Sequence, residues 1–326
     1  MAVNDKILIA DYNNIRDKVI GVLGAGSASS GYGQAIKSVA LTPSNKVGIN
    51  DWANLYYDIY NVHVHQTGAA PSLGSIVEHE TVRYASDKPN FQYDTIANTL
   101  ISNRFNVHSS QSATRSKGSS SQTWPGSLGT QWVSLCQCTI TVTFSSAAAA
   151  RYFFNSGGQI RFTSSRSGGT AGRSQNTAWT NLLNSVSSIN SGAGPIFGGA
   201  IPSTGTEPND GQNYYRLNSG WQAWYTASAS SPYGSNYFRI FAKSPNIGDN
   251  SGGTDNQVQF LVYWADDYVD PGNSGLGDSP NEVDRVDGTL SLAVSTLYAT
   301  GTLLPAGAGA FAVEDPSISI GAITGS

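Results

Sequence analysis

The chain has 326 residues, of which 36 are glycine and only 12% are charged, with a formal net charge of −4. It is long enough for one large or two ordinary domains with real cores, and its low charge with plentiful aromatic residues argues against disorder. Lys and Arg are scattered, with a modest cluster of Arg115 and Lys117 in a serine-rich stretch, so there is no basic footprint for a nucleic-acid backbone.

The N-terminus, MAVNDKILIADYNN, places acidic and amide residues on both sides of a very short apolar run, unlike a signal peptide. Nothing approaches the roughly 18 apolar residues of a membrane span. The expectation is a protein made in a cytoplasm and not inserted into a membrane. Helical periodicity follows. Asp11 can cap a segment with Ile15, Val19 and Val22 on one face, and Asn50 or Asp51 can cap one with Trp52, Leu55, Tyr56, Ile59 and Val62. A third helix is predicted after the Pro89-Asn90 break, with Ile96, Leu100, Ile101 and Phe105. Residues 1–108 therefore read as a small helical docking unit.

Within it, KVIGVLGAGSASSG superficially resembles a dinucleotide-binding turn. Ser29 stands where the third glycine belongs, however, and SGYGQ follows instead of a helix. A helix ending in a glycine-rich loop is the plainer reading. His63 and His65 form a His-x-His pair that could share a metal on an extended segment, or on the axis of a symmetric trimer; on a helix they diverge into ordinary hydrogen-bonded histidines. Glu78, His79 and Glu80 put acid beside base, but sequence neighbours on a strand face opposite ways.

Residues 109–130 are rich in Ser and Gly without apolar period, and read as a linker or exposed loop marking a domain boundary. Beyond it, QWVSLCQCTITVTF from Gln131 to Phe144 alternates apolar and polar residues, with Trp132, Cys136, Cys138, Ile140, Val142 and Phe144 on one face. The chain's two cysteines both lie there, at i and i+2. A disulfide between them would strain an extended backbone, so they read as buried thiols, with no second Cys or His pair at metal spacing.

A short helix through the alanine run, a Gly-Gly reversal and a strand with Ile160 and Phe162 come next. Further strands are predicted over Trp221–Ala229, Tyr237–Ala242, Gln257–Ala265, Thr289–Tyr298 and Ser317–Ile323. One helix interrupts them, with Trp179, Leu182, Leu183, Val186 and Ile189 as its stripe. The predicted fold is mainly β with α insertions: the helical unit, then an antiparallel β-sandwich over 131–326 with a short helical insertion.

Candidate chemistry is sparse. Asp249, Asn250, Asp255 and Asn256, and separately Asp266, Asp267 and Asp270, form oxygen-rich loops that could hold calcium, though neither matches the twelve-residue calcium loop and solvated turns account for them. Trp221, Trp224, Tyr225, Tyr233 and Tyr237 could form a sugar-stacking or interface platform. The nucleophile-elbow, zinc-protease and phosphate-loop motifs are all missing, and only paired carboxylates for glycoside cleavage stay open. No enzyme and no cofactor are expected.

The pieces DYNNIRDKVIGVLGAGSASSGYGQ, INDWANLYYDIYNVHVHQTG, ARYFFNSGGQIRFTSSRSGG, NTAWTNLLNSV and VDGTLSLAVSTLYATGTLLP, in this order, resemble uncharacterised virion structural proteins of tailed phages, especially contractile-tailed phages that infect cyanobacteria. The resemblance covers most of the chain and implies a virion location, with copies of itself and other virion proteins as partners. Its motifs are scaffold motifs and bring no catalytic residues. A docking unit joined to a β-sandwich suits a tail, neck, baseplate or fibre-linked component; a head decoration protein, or a host-glycan-binding or glycan-cleaving tail module, are the alternatives.

Overall fold

The structure, a computed structural model, describes residues 9–73, 93–126, 132, 134–192, 205–206, 214–268, 286–301, 311 and 313–325. Three helices open it: α1 (Ile9–Leu23), α2 (Ile49–Thr67) and α3 (Tyr93–Ser102). Their 3.6-residue apolar stripes meet, burying Tyr12, Ile15, Val19 and Val22 of α1 against Trp52, Leu55, Ile59 and Val62 of α2 and Leu100 of α3. Trp52 lies edge-on to both Tyr12 and Tyr93, at centroid distances of 5.4 and 5.0 Å.

The helix starts differ from expectation by a turn or less. Gly48 precedes α2, and Asp51 acts from inside the first turn, its carboxylate accepting the Gly48 N–H at 2.8 Å. Asp11 likewise lies in the first turn of α1. The glycine-rich run after α1 is a closed backbone loop in which Tyr32 N–H donates to Val22 O and Gly33 N–H to Gly24 O, both at 2.8 Å. Gly33 has φ +69°, and a Cβ there would meet the Tyr152 ring at 2.3 Å, so two independent constraints require glycine.

The remainder is a β-sandwich with two helices. In chain order it comprises β1 (Ser112–Trp124), β2 (Leu135–Thr143), α4 (Ala147–Asn155), β3 (Gln159–Ser167), α5 (Ser174–Val186), β4 (Ser188–Ser191), β5 (Gly205–Thr206), β6 (Gln222–Ser228), β7 (Tyr237–Lys243), β8 (Gln257–Ala265), β9 (Gly288–Ala299), β10 (Ser317–Ile320) and β11 (Thr324–Gly325). One sheet runs β1-β9-β3-β4; the other runs β10-β2-β8-β7-β6-β5, with β11 also on β2, and every pairing is antiparallel. The alternating strands bury their apolar faces between the sheets: Cys136, Cys138, Ile140 and Val142 on β2, Val258, Phe260, Val262 and Trp264 on β8, and Leu290, Leu292 and Val294 on β9. Phe162 meets Phe260 at 4.8 Å across the gap, and Trp264 Nε1–H donates to Ser164 Oγ at 2.9 Å.

The structure corrects the predicted linker at 109–130. Residues 112–124 form the long edge strand β1, paired with β9 along its whole length with one register shift near Lys117. Its residues are nearly all polar or glycine and mostly exposed, so no apolar alternation marks it. Order comes instead from the backbone ladder and from Asp315, whose carboxylate lies 2.6 Å from Arg115 and 2.8 Å from Lys117.

The helical unit has a core distinct from that of the sandwich, and a few contacts tie the two together. The helical core includes Ala299, the last residue of β9, and Phe311. Asn155 at the end of α4 donates to Gly31 O at 3.0 Å, and Tyr215 OH donates to Ala28 O at 2.9 Å, tying the glycine loop to the sandwich. Two smaller differences are local. Ile189 lies on β4 opposite Phe162, because α5 ends at Val186. Trp132 lies outside β2, forming an isolated antiparallel bridge with Val286 while remaining buried.

One charged cluster is buried in the sandwich. The Asp287 carboxylate, inaccessible to solvent, accepts from Thr170 N at 3.0 Å, Thr170 Oγ1 at 2.5 Å and Asn176 Nδ2 at 2.5 Å, with Arg173 at 3.4 Å and Arg166 at 3.7 Å. Burial alone would raise its pKa, but these hydrogen bonds and the Arg173 charge together hold it below the usual carboxylate value. The cluster pins the loop before α5 to the start of β9.

Candidate interaction face

Strand alternation that buries one face of β7 and β8 turns the other outward. Tyr237, Arg239, Phe241 and Lys243 follow one another at two-residue spacing on the outer face of β7, each half-buried. Leu261 and Tyr263 stand beside them on β8, through the register pairs Phe241–Leu261 and Arg239–Tyr263. Tyr263 packs edge-on to Phe241 at 5.1 Å.

The two cations rest on rings. The Arg239 guanidinium lies 4.5 Å from the Tyr237 centroid and 5.7 Å from that of Phe241, and its Nε–H donates to Thr226 Oγ1 at 2.9 Å. The Lys243 ammonium lies 4.4 Å from the Trp221 centroid. Strands β2, β6, β7 and β8 contain no Asp or Glu, and among the described residues neither cation has a carboxylate partner. The face is aromatic, amide-rich and positive on a chain that is negative overall.

Only two of the five predicted platform aromatics belong to it. Trp221 is 40% exposed at its rim and Tyr237 lies within it, whereas Trp224, Tyr225 and Tyr233 are buried. Neighbouring strand residues should face opposite ways, yet Trp224 and Tyr225 both point inward, because the β6–β7 register shifts between Ala223 and Tyr225. Trp224 packs toward Phe162 and Phe260, and Tyr225 toward Phe238. Arg239, Phe241, Lys243 and Tyr263 were not singled out in the sequence, although the alternation of β7 and β8 carries the signal for their common face.

The predicted metal-ligand residues are not brought together. His63 and His65 diverge on α2: half-exposed His63 has Nδ1 at 2.8 Å from Ala69 O, while buried His65 has Nε2 at 2.9 Å from Ser156 O. Burial lowers the His65 pKa to about 4, the Ser156 hydrogen bond opposing only part of the shift. Asp249 forms a turn with Ser251. Asp255 is buried and accepts from Asn246 N, Asn246 Nδ2 and Gln257 N at 2.8–3.0 Å, so its oxygens shape the β7–β8 loop. Among the described residues no three His, Cys, Asp or Glu side chains gather as a metal site, and no helix is long and apolar enough to cross a membrane. Glu78, His79, Glu80 and Asp270 lie outside the described residues.

Comparison of the chain with protein-family models, curated proteins and solved structures finds no match.

Proposed function

We propose that this chain is a non-enzymatic structural component of a tailed-phage virion, present in repeated copies. The observation that carries the reading is that one chain displays two separate contact surfaces. One is the aromatic outer face of β7 and β8. The other lies on the helical unit, where Ile36, Val39, Ile49 and Tyr57, at 39–57% exposure, are four of the five exposed large hydrophobic residues among the described residues. Two unlike surfaces on each copy suit anchoring by the helical unit and display of the strand face, better than a closed two-fold dimer. The sequence resemblance to virion proteins points the same way.

A tail, neck, baseplate or fibre-linked position was expected from a docking unit on a linker. With β1 laddered into the sandwich in place of a linker, that ground is weaker, and a head decoration position stands level with it. Mass spectrometry of purified virions should find the chain at several copies per particle. Its absence there, or turnover of a glycan by the purified protein at an enzyme-like rate, would overturn the proposal.

A further inference from the structure

We infer that the outer face of β7 and β8 is a binding site for an acidic glycan, with Arg239 and Lys243 pairing its carboxylates. The inference is independent of where the protein resides, and it deepens the glycan-binding alternative by naming the ligand's charge and replacing most of the residues first considered.

Three properties of the face select this ligand. Its charge is +2 against a net −4 for the chain, so the remainder carries −6, and the face attracts an anionic partner where the rest of the surface repels one. An isologous contact with a second copy would set Arg239 and Lys243 against themselves. Its row is linear: Arg239 and Lys243 are four residue steps apart along β7, about 13 Å at the rise of an extended strand. That spacing lets the two cations pair carboxylates a few rings apart on one linear acidic chain.

Hydrogen-bonding capacity is the third property. The Tyr237 and Tyr263 hydroxyls share the face with the amides of Gln137 and Gln259 and the hydroxyl of Thr139, all on outward strand positions. Amides and hydroxyls can both donate and accept, which a polyhydroxylated chain requires and an apolar protein interface does not. A cation lies over one face of the Tyr237 ring and one face of the Trp221 ring. A sugar therefore meets the charged heads at these rings, which makes recognition depend on the glycan's carboxylates as well as on stacking.

The experiment is titration calorimetry of the full chain with polygalacturonate, neutral dextran and single-stranded DNA, at about 0.05 and about 0.3 M salt. Polygalacturonate should bind, weaken with salt, and lose at least about tenfold in affinity in the R239Q/K243Q double variant, while dextran and DNA bind far more weakly. Both side chains are half-exposed, so the variant should melt within a few degrees of the parent. Equal binding of polygalacturonate by the variant would overturn the inference, as would equal binding of dextran or of DNA by the parent. Dissociation of a parent oligomer by the double variant without any glycan would also overturn it, by showing that copies of the chain cover the face.

Discussion

His65 Nε2 lies 2.9 Å from the Ser156 carbonyl oxygen, joining α2 to the end of α4 across 91 residues of sequence. Facing a carbonyl, Nε2 carries the proton, which leaves Nδ1 as a buried acceptor with no hydrogen-bond partner among the described residues. The ring stacks on Phe311 at 4.3 Å and meets Tyr32 edge-on at 5.1 Å. The neutral imidazole is thus built into the contact between helical unit and sandwich.

Its pKa of about 4, against 6.5 for an exposed histidine, makes folding pH-dependent. The unfolded chain binds the proton more readily, so the stabilisation is fully present above about pH 6.5 and is lost as pH falls toward 4. Urea unfolding at pH 7.5 and pH 4.5 should differ by on the order of 2 kcal/mol from this group. In H65Q, which cannot titrate, the difference should shrink by about that amount.

Replacing Asp287 with Ala should destabilise the fold by about 3–5 kcal/mol, because it takes this carboxylate away from the buried Arg166 and Arg173 guanidinium groups. Asp287→Asn retains part of the hydrogen bonding and should fall between the parent and Ala in denaturant midpoint. A midpoint for D287A equal to the parent's would show that the cluster adds nothing to stability.

Burial raises the pKa of the Cys138 thiol to about 11, and that of Cys136 further, with the nearby Asp266 charge adding to it. The Cys138 S–H donates to Gly321 O at 3.2 Å. Both thiols should react with a disulfide reagent slowly in the native protein at pH 8 and at once in denaturant. Rapid native labelling of both would contradict the register of β2.

The reassignment of 112–124 can be tested by hydrogen exchange. As an edge strand, β1 bonds β9 on one side only, so alternate amides from Ala113 to Thr123 should be protected and their neighbours should exchange freely. Uniformly fast exchange would restore the linker.

Most of the sandwich was legible because its strands have one wet face. Gln257–Ala265 was located to the residue, and β3, β6, β7 and β9 to within a few, since each alternates apolar and polar positions. β1 escaped because Arg115–Ser121 buries almost nothing; its order is supplied by a partner more than 160 positions away in sequence. The platform was misassigned because a one-residue register shift in β6 leaves no local mark yet turns Trp224 inward. The outer face was missed for a different reason: composition drew attention to tryptophan, whereas the face is defined by which residues share the parity of Arg239.

β9 pairs with β1 on one side and β3 on the other, and its final residue enters the helical core. Ser112 must find Ala299, and Trp124 must find Gly288, over loops of more than 160 residues. Contacts this distant slow folding, since loop closure precedes any gain from pairing. During translation the helices and the first sheet would both wait, incomplete, until residues 288–311 leave the ribosome, with the apolar face of β3 open in the meantime. A ribosome stalled before that point would hold a chain whose first sheet lacks the strand that joins β1 to β3, and such a chain is expected to need protection from aggregation until β9 is made.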